Sequence, residues 1–364
     1  MRVIHFVTGG FSGSTNVAKE IIENTNQTSD IESLLVLRKK KSTTEEKLKS
    51  FYNLGIDTRL VTSKLHVLTI HQLYKICKEY KPDILVVHGF SEHIWGRYAG
   101  LLAKVPHLVH VEHNSRERYT WLRLKQAKWL SRHTAKIVGC SEGVKQNLLR
   151  LGFPAEKVVS IPNGINLTRF DQSTQVPFCK RKTEIIMAAR FARQKDQTSL
   201  IKAIALLKSK DIVVKVNFAG LGKTSHLVTA QKLVKRLGLE QQITFLGHCT
   251  NLPELLTQHQ IFALSTHYEG MPLALIEAMA SGCAILASEV VGVKEMFVHG
   301  EDGYLVEPQS PRALAEAIEK LLADKDFTEK MAINGQKKAR SQFSIERMAG
   351  EYKLLFRSLF KTII

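Results

Sequence analysis

The chain has 364 residues, of which 44% are hydrophobic and 24% are charged, and Lys and Arg outnumber Asp and Glu by 52 to 34. This composition excludes a fibrous or mainly disordered protein, and the length predicts two globular domains. The formal net charge of +18 attracts phosphate-bearing partners, which include nucleotides, nucleic acid and anionic membranes, but it carries no information about the fold.

The sequence contains no sign of a membrane span or a disulfide framework. No stretch of about 18 residues runs apolar without a charge, so a transmembrane helix is not expected. The apolar run at the start of the sequence is too short for a signal peptide. The 5 cysteines are odd in number, scattered and without C-x-x-C spacing, which favours neither disulfides nor a zinc ribbon. We therefore expect a cytoplasmic protein with reduced thiols.

Short apolar runs alternate with amphipathic segments along the chain, which is the pattern of a parallel sheet covered by helices. In the first half, strands are expected at Arg2–Val7, Glu32–Leu37, Asp57–Val61, Asp83–Val87, His107–Val111 and Lys136–Cys140. In the second half, they are expected at Glu184–Ala189, Val213–Ala219, Ile243–Leu246, Ile261–Leu264 and Ala284–Leu286. Three helices are expected after these strands, over about 312–323, 327–340 and 344–360.

Residues 171–182 are polar and aperiodic, and we place an interdomain linker there. The prediction is an α/β protein with two doubly wound, Rossmann-like domains, one over residues 1–170 and one over residues 183–343. In such sheets ligands bind beyond the carboxyl ends of the strands. Residues at these ends are therefore the candidates for function, and two facing domains would bring them to one crevice.

Two glutamates in the second half carry the strongest functional signal. Glu269 precedes a predicted helix that has Pro272 in its first turn and Gly282 at its C-terminal cap. Glu277 lies within that helix among Leu, Ile, Ala and Met, where an isolated carboxylate needs hydrogen-bond donors. The hydroxyl groups of a ribose are suitable donors, and an internal salt bridge to Arg or Lys is the structural alternative.

Two cations follow the first predicted strand of the second half. Arg190 and Lys195 come after the run Ile-Ile-Met-Ala-Ala, at the end of a strand where ligands bind. Two cations at this separation can clamp a diphosphate, because each can contact a different phosphate group. A solvated basic loop is the alternative interpretation.

Glycine-rich turns follow two further strands. Gly10 and Gly13 precede a predicted helix, where small residues let a phosphate or sugar approach the backbone, and a tight turn between strand and helix is the alternative. Gly220 lies in Ala-Gly-Leu-Gly-Lys, which imitates the end of a P-loop. Asn217 occupies the position where a P-loop needs glycine, so we interpret Gly220 as part of a turn that lines the ligand site.

Three histidines occupy the predicted fifth strand and its end. On a strand, His107 and His113 share one face and His110 takes the other, so the group does not match a metal site. His113 stands at the carboxyl end of the strand, where it is placed to contact a substrate. We predict that no metal is bound.

A basic segment over residues 116–130 contains Trp121 and Trp129, two of the 3 tryptophans of the chain. Residues 1–165 hold 25 basic and 14 acidic side chains, a net charge of +11. The segment is either an interfacial helix with aromatic anchors on an anionic membrane or a domain helix with a solvated basic face and core tryptophans.

The motifs together resemble those of glycosyltransferase family 4, a large retaining family with the GT-B fold. The residues that carry the resemblance are Glu269 and Glu277 with seven residues between them, the Glu-Gly-Met-Pro-Leu run, Arg190 with Lys195, Asn163 in Ile-Pro-Asn-Gly-Ile-Asn, and Gly-Glu-Asp-Gly-Tyr-Leu-Val from Gly300. The resemblance covers essentially the whole chain and is most specific over residues 184–308.

The resemblance implies a nucleotide-sugar donor that is bound mainly by the C-terminal domain, without a metal ion or other cofactor. By position, Arg190 and Lys195 would hold the diphosphate and Glu277 the ribose. His113 would lie near the reacting sugar, although its Glu-His-Asn-Ser context departs from the family pattern. The remaining predicted contacts to substrates are Glu269, the backbone of Gly270, Met271, Pro272 and Leu273, and the residues Gly10, Gly13, Asn163 and Gly220.

The resemblance also implies that the last helix, over residues 344–364, packs back on the N-terminal domain. The predicted function is retaining transfer of a hexose or N-acetylhexosamine from a nucleotide-sugar to a glycan or polyprenyl-linked acceptor in surface polysaccharide assembly. UDP-sugars are the favoured donors and GDP-mannose is the second choice. Docking on the inner face of the cell membrane is a further expectation, and nucleic acid is not an expected partner.

Three alternatives stay open from the sequence. A sugar-nucleotide epimerase would share the two-domain architecture, but it would need no acceptor. A nucleic-acid-binding protein would explain the positive charge but not the glutamates. A P-loop NTPase is disfavoured by Asn217.

Overall fold

The computed structural model describes residues 1–10, 13–41, 43–116, 119–171 and 175–361. The chain divides into two compact units, one formed by Met1–Asn166 together with Ile345–Ile364 and one formed by Leu167–Ser344. Each unit contains one parallel sheet, of 7 strands in the first unit and 6 in the second. The predicted fold class of two parallel-sheet α/β domains is confirmed.

The sheet of the first unit has the strand order β3-β2-β1-β4-β5-β6-β7. Its strands are β1 Arg2–Thr8, β2 Glu32–Arg38, β3 Thr58–Val61, β4 Ile84–His88, β5 His107–Glu112, β6 Lys136–Gly139 and β7 Val158–Ser160. The helices between them are α1 Gly13–Thr25, α2 Glu45–Tyr52, α3 His66–Tyr80, α4 Phe90–Ala103, α5 Trp121–Ser131 and α6 Glu142–Arg150. β7 was not predicted, because 3 residues are too few to show a hydrophobic pattern.

Successive residues of β1 enter two different cores, as the pleat of a strand requires. Ile4 and Phe6 pack in the core that also contains Leu73 of α3. Val7 packs in the core that contains Ala18 of α1. The near-continuous apolar runs of the sequence thus bury both faces of this sheet.

The sheet of the second unit has the strand order β10-β9-β8-β11-β12-β13. Its strands are β8 Lys182–Ala188, β9 Val216–Ala219, β10 Ile243–Gly247, β11 His259–Leu264, β12 Ala284–Ser288 and β13 Tyr304–Val306. Its helices are α7 Gln197–Lys208, α8 Thr224–Arg236, α9 Leu252–Thr257, α10 Leu273–Ala280, α11 Pro311–Ala323 and α12 Lys325–Gln342. The edge strand β13 is another element of 3 residues that the sequence pattern does not reveal.

The chain leaves the first unit before the predicted linker, at Asn166–Leu167. Residues 172–174 of that linker lie outside the described residues, but the remainder packs on the second unit. Gln175 Nε2 donates a 3.1 Å hydrogen bond to the carbonyl oxygen of Ala280, and Arg181 donates hydrogen bonds of 2.9 and 2.8 Å to the carbonyl oxygens of Ser281 and Gly282. A polar, aperiodic segment is here anchored by side-chain bonds to backbone, so the linker prediction is wrong for this part.

The last helix, α13 Ile345–Phe360, returns to the first unit. It lies against α1 and buries Met348, Tyr352 and Phe356. The amide of Ile345 donates a 2.9 Å hydrogen bond to the carbonyl of Ile165, which ties the start of the helix to the first unit. Residues 362–364 of the predicted segment lie outside the described residues. Among the described helices, none combines the length and the apolar character that a membrane crossing needs.

Candidate active site

A buried ion pair forms the centre of the candidate site in the second unit. Lys195 Nζ lies 2.5 Å from Glu269 Oε1, and the two side chains are 12% and 6% exposed. Thr266 Oγ1 donates to the same carboxylate oxygen at 2.8 Å, and Gln194 Nε2 donates to Oε2 at 3.0 Å. Both oxygens of Glu269 therefore accept hydrogen bonds, which offsets the cost of burying the charge.

The order of the strands brings this pair together. β8 and β11 are neighbours in the sheet, and the loops that follow them run side by side. Lys195 forms an isolated antiparallel bridge with Thr266, and the amide of Asp196 donates to the carbonyl of Ser265 at 3.0 Å. The Asp196 carboxylate then accepts from the amide of Ser199 and caps α7. The predicted site cation thus comes from the turn between β8 and α7.

Arg190 differs from Lys195 in its surroundings, although the sequence predicts the same role for both. The Arg190 side chain is exposed, and it forms no ion pair with any residue that the structure describes. Its backbone carbonyl accepts a 3.1 Å hydrogen bond from Gln197 Nε2, which fixes the loop. Of the two predicted cations, one is neutralised by a carboxylate and the other is open to solvent.

The burial of Glu277 differs from the expectation. Glu269 is 4% exposed, whereas Glu277 is only partly buried. Leu273, Ala274 and Glu277 lie on one face of α10, at helical spacing, and this face is partly exposed, while Leu275 and its apolar neighbours are buried. The prediction of an enclosed carboxylate is therefore wrong for Glu277. The buried carboxylate is that of Glu269, for which the sequence predicts a loop position and no burial.

The loop between the two glutamates is buried over Gly270, Met271 and Pro272. Gly292 packs against it so closely that a Cβ atom there would lie 2.0 Å from the carbonyl oxygen of Gly270. With a φ of +81°, position 292 favours glycine for its conformation as well. Gly282 ends α10 with a φ of +72°, as predicted for its cap. Gly292, which no sequence motif marks, limits how the loop can move.

The turn at Gly220 has a structural explanation. A Cβ atom at Gly220 would lie 2.4 Å from the carbonyl oxygen of Ala189, so glycine lets this turn approach the loop that carries Arg190. Asn217 is tied into the sheet, where its amide group contacts Glu184 at 3.0 Å and His259 at 2.9 Å. The structure thus favours a close-packed turn here rather than a P-loop.

In the first unit, the glycine turn after β1 is described only in part, because residues 11 and 12 lie outside the described residues. Gly9 donates a 2.8 Å hydrogen bond to the carbonyl of Arg38, which leaves no room for a Cβ atom. Among the described residues outside their own chain neighbours, a Cβ atom at Gly10 or Gly13 would meet no atom closer than 3.5 Å. Asn163 is buried after β7, where its amide donates to the carbonyl of Cys140 at 3.3 Å.

His113 follows β5 directly and is half-buried. Its Nε2 lies 3.1 Å from Nδ1 of His88, at the end of β4, and its amide donates to Glu112 Oε1 at 3.0 Å. Burial lowers the pKa of His113 to about 4. The ring is therefore neutral at pH 7. His88 was not among the predicted site residues, because it ends β4, a strand in which the sequence shows no functional motif.

A second histidine cluster lies nearby and has the residue types of a metal site. His93, His110 and Glu112 are all buried, and their ligand atoms lie within 4.8 Å of one another. However, the guanidinium of Arg97 lies 2.7 Å from Nδ1 of His93, and the hydroxyl of Tyr119 lies 3.2 Å from its Nε2. With both nitrogens of His93 engaged and a buried cation alongside, we do not interpret the cluster as a metal site. His110 forms no hydrogen bond with the described residues and stacks on His93, with 4.1 Å between the ring centroids.

Comparison with known proteins decides the family. The model "Glycosyl transferases group 1" matches residues 169–338, and the model "Glycosyltransferase Family 4" matches residues 31–169. The chain belongs to the glycosyltransferases. The predicted family and enzyme class are confirmed, and neither the epimerase nor the nucleic-acid-binding alternative is favoured by these matches.

Two curated relatives of this glycosyltransferase extend over most of its length. It is 29% identical to the putative glycosyltransferase EpsD of Bacillus subtilis, over 77% of this chain and 79% of that protein. It is 27% identical to the UDP-Gal:alpha-D-GlcNAc-diphosphoundecaprenol alpha-1,3-galactosyltransferase of Escherichia coli, over 78% of this chain and 77% of that protein.

Solved structures agree on the fold. Anabaena Alr3699/HepE, crystallised with UDP-glucose, superposes with a TM-score of 0.86 at 20% identity and covers 98% of this chain and 100% of its own. TarM superposes with a TM-score of 0.80 at 13% identity and covers 98% of both chains. The glycosyltransferase thus has the GT-B fold that the sequence predicts.

Proposed function

We propose that this glycosyltransferase moves a hexose or N-acetylhexosamine from a nucleotide-sugar to a glycan or lipid-linked acceptor in the assembly of a bacterial surface polysaccharide. The observation that carries the proposal is the buried Lys195–Glu269 pair in the same loop system as the open cation Arg190. The name of the Escherichia coli relative supports a diphosphate-lipid acceptor, and that of a Staphylococcus aureus relative, CapM, supports capsular polysaccharide biosynthesis.

In this proposal Arg190 and Lys195 bind the diphosphate of the donor. Glu269 holds the Lys195 ammonium in position before the donor arrives, so little reorganisation is needed when negative charge grows on the departing nucleoside diphosphate. α10 begins at Leu273, four residues after Glu269, and the amides of its first turn favour an anion by the helix dipole. Glu277, on the partly exposed face of α10, accepts hydrogen bonds from the ribose hydroxyls.

Glu269 and the backbone of Gly270, Met271, Pro272 and Leu273 contact the transferred sugar, and Gly220 lines the donor site. A UDP-sugar is the preferred donor, because UDP appears in the names of a relative and of several structural neighbours. GDP-mannose is the second candidate. Gly10, Gly13, Asn163 and His113 belong to the first unit and are proposed to contact the substrates from that unit.

The proposed reaction retains the configuration at the anomeric carbon. The bond from the anomeric carbon to the phosphate oxygen breaks, and a bond to the acceptor hydroxyl oxygen forms on the same face of the sugar. The leaving phosphate takes the proton of that hydroxyl. The two cations supply the positive charge that stabilises the leaving group, so we propose that the reaction needs no metal ion.

The proposed acceptor is attached to a membrane lipid, and α5 offers a surface for docking. Trp121 is 76% exposed and Leu122 is 58% exposed, while Lys125 Nζ lies 5.2 Å from the Trp121 ring centroid. Trp129 is 45% exposed, so neither tryptophan is a core residue. Residues 117 and 118 of the predicted interfacial segment lie outside the described residues. We propose that α5 docks on anionic lipid.

A transfer assay tests the proposed function. The purified enzyme is incubated with UDP-, GDP- or ADP-sugars and a polyprenyl-diphosphate-linked N-acetylhexosamine, with and without excess EDTA, and the product is analysed by NMR. The proposal predicts an α-linked product from an α-linked donor and unchanged rates in EDTA. A β-linked product, loss of activity in EDTA with rescue by Mg²⁺, or conversion of the donor without an acceptor would each contradict it.

A further inference from the structure

Three histidine rings of the first unit are linked in series. Nδ1 of His5 lies 3.1 Å from Nε2 of His88, and Nδ1 of His88 lies 3.1 Å from Nε2 of His113. The rings come from β1, from the end of β4 and from the residue after β5, which are adjacent in the sheet. We call His5, His88 and His113 the histidine chain.

The histidine chain couples the proton positions of all three rings. Burial lowers the pKa of His5 to about 3 and that of His113 to about 4, and it holds the pKa of His88 well below the usual value. All three rings are therefore neutral at pH 7. A neutral imidazole has one N–H donor and one bare acceptor nitrogen. Two hydrogen bonds in series can then form in only two ways, with the N–H groups all on Nδ1 or all on Nε2.

The buried end of the histidine chain decides between these two arrangements. Nε2 of His5 is buried and has no hydrogen-bond partner among the described residues, and the His5 ring packs 6.0 Å from the ring of Phe356. An N–H group without a partner in the interior costs more than a bare acceptor, and such donors are rare. The arrangement with protons on Nδ1 leaves only a bare nitrogen there. It is therefore the more stable one.

We propose that His5 and His88 set the tautomer of His113, so that His113 presents Nδ1–H as a hydrogen-bond donor to the substrate. His113 then binds an oxygen of a sugar and does not remove a proton from it. Glu112 fixes the base of the ring by accepting from the His113 amide at 3.0 Å. His5 and His88 act as positioning residues, and this part of the inference rests on the proposed function because it places a substrate at His113.

Nitrogen NMR tests the tautomer without any ligand. The full-length enzyme is labelled with ¹⁵N-histidine, and long-range ¹H–¹⁵N correlations at pH 7.5 identify the protonated nitrogen of each ring. Single-histidine variants assign the signals. The inference predicts Nδ1–H on His5, His88 and His113, whereas histidine free in water favours Nε2–H. A proton on Nε2 of His113 in the wild-type enzyme would overturn the inference.

Two variants at one position separate positioning from packing. In His88→Asn the amide nitrogen takes the place of Nδ1 and keeps a donor toward His113, whereas His88→Leu keeps volume without a donor. We expect His88→Leu to lose Nδ1–H at His113 and to lower kcat at least about tenfold, and His88→Asn to restore both. Equal losses in two folded variants would show a packing role. If no variant and no wild-type enzyme transfers sugar, the proposed function fails, while the wild-type tautomers still decide the histidine chain.

Discussion

The two units differ in the polar groups that they bury near the ends of their central strands: the second unit buries an ion pair, and the first unit buries neutral histidine rings. The second unit buries a charge and satisfies it, because Lys195, Thr266 and Gln194 surround the Glu269 carboxylate. The first unit contains the three histidine rings of the histidine chain, which stay uncharged and are joined by hydrogen bonds between their nitrogens. Charge suits the unit proposed to bind a diphosphate, whereas neutral donors of fixed direction suit the recognition of sugar hydroxyls.

The largest expected effect is that acid lowers the stability of the first unit more than that of the second. In the folded protein, the three histidines of the histidine chain have pKa values below the ordinary 6.5. At a pH between 6.5 and those values, the unfolded protein therefore binds more protons than the folded protein. Stability is fully present above pH 6.5 and is lost as the pH falls below it. Each such histidine removes about 1.4 kcal/mol of unfolding free energy per pH unit. We expect several kcal/mol to be lost by pH 5.

The tryptophans make this loss measurable in one unit. All 3 tryptophans of the chain belong to the first unit, so tryptophan fluorescence reports its unfolding while circular dichroism follows both units. Urea titrations at pH 7.5, 6 and 5 should show a fluorescence midpoint that falls sharply below pH 6.5. A fluorescence midpoint independent of pH would contradict the neutral, buried state of the histidine chain.

Removal of the carboxylate should damage the second unit. Glu269→Ala leaves the Lys195 ammonium buried without its partner, and breaking a buried ion pair in this way costs about 3–5 kcal/mol. We expect kcat to fall about a hundredfold or more, together with a lower urea midpoint by circular dichroism. Glu269→Gln keeps the volume and is the matched control for packing. Wild-type turnover in a folded Glu269→Ala enzyme would remove Glu269 from the site.

The two cations should separate stability from turnover. Arg190→Ala should lower kcat about tenfold with no change in the melting temperature, because the exposed guanidinium has no ion pair among the described residues. Lys195→Ala should lower both kcat and the melting temperature, since the Glu269 carboxylate loses its ion-pair partner. Arg193→Ala, an exposed cation of the same loop, is the control and should change neither. Equal rates for Arg190→Ala and Arg193→Ala would remove Arg190 from the proposed diphosphate site.

The smallest expected effect concerns membrane docking. Trp121→Ala should lower the fraction of enzyme that floats with anionic liposomes by a few-fold at low salt, because one exposed aromatic anchor of α5 is lost. Val213→Ala removes a side chain that is 75% exposed in the second unit and should have no effect. Equal flotation of the wild-type enzyme with neutral and anionic vesicles would refute docking by charge.

The candidate site of the second unit could be predicted from the sequence, because its charged residues are concentrated in two short loops. Lys195 and Glu269 follow strands that the sequence predicts, and each lies in a motif that marks it as a candidate site residue. Their mutual contact was not foreseen, since it depends on β8 and β11 being neighbours. The exposure of Glu277 was predicted wrongly, because the composition around it does not reveal which face of α10 is open.

The histidine chain could not be foreseen from the sequence. His5, His88 and His113 lie far apart along the chain, and only the strand order β1-β4-β5 brings them together. The exposure of Trp121 was also beyond the sequence, since a helix with mixed basic and aromatic residues fits either a surface or a core. The overall fold was more accessible, because buried parallel strands leave apolar runs that recur along the chain.

The central claim is that the second unit recognises the diphosphate of a nucleotide-sugar through Arg190 and Lys195. Calorimetric titration of UDP and of uridine into the wild-type enzyme, Arg190→Ala and Arg193→Ala tests it directly, because the two ligands differ only in the diphosphate. We predict that UDP binds at least about tenfold more tightly than uridine to the wild-type enzyme and to Arg193→Ala, a difference of about 1.4 kcal/mol, and that Arg190→Ala loses most of it. Equal affinity for UDP and uridine in a wild-type enzyme that binds both would contradict the account.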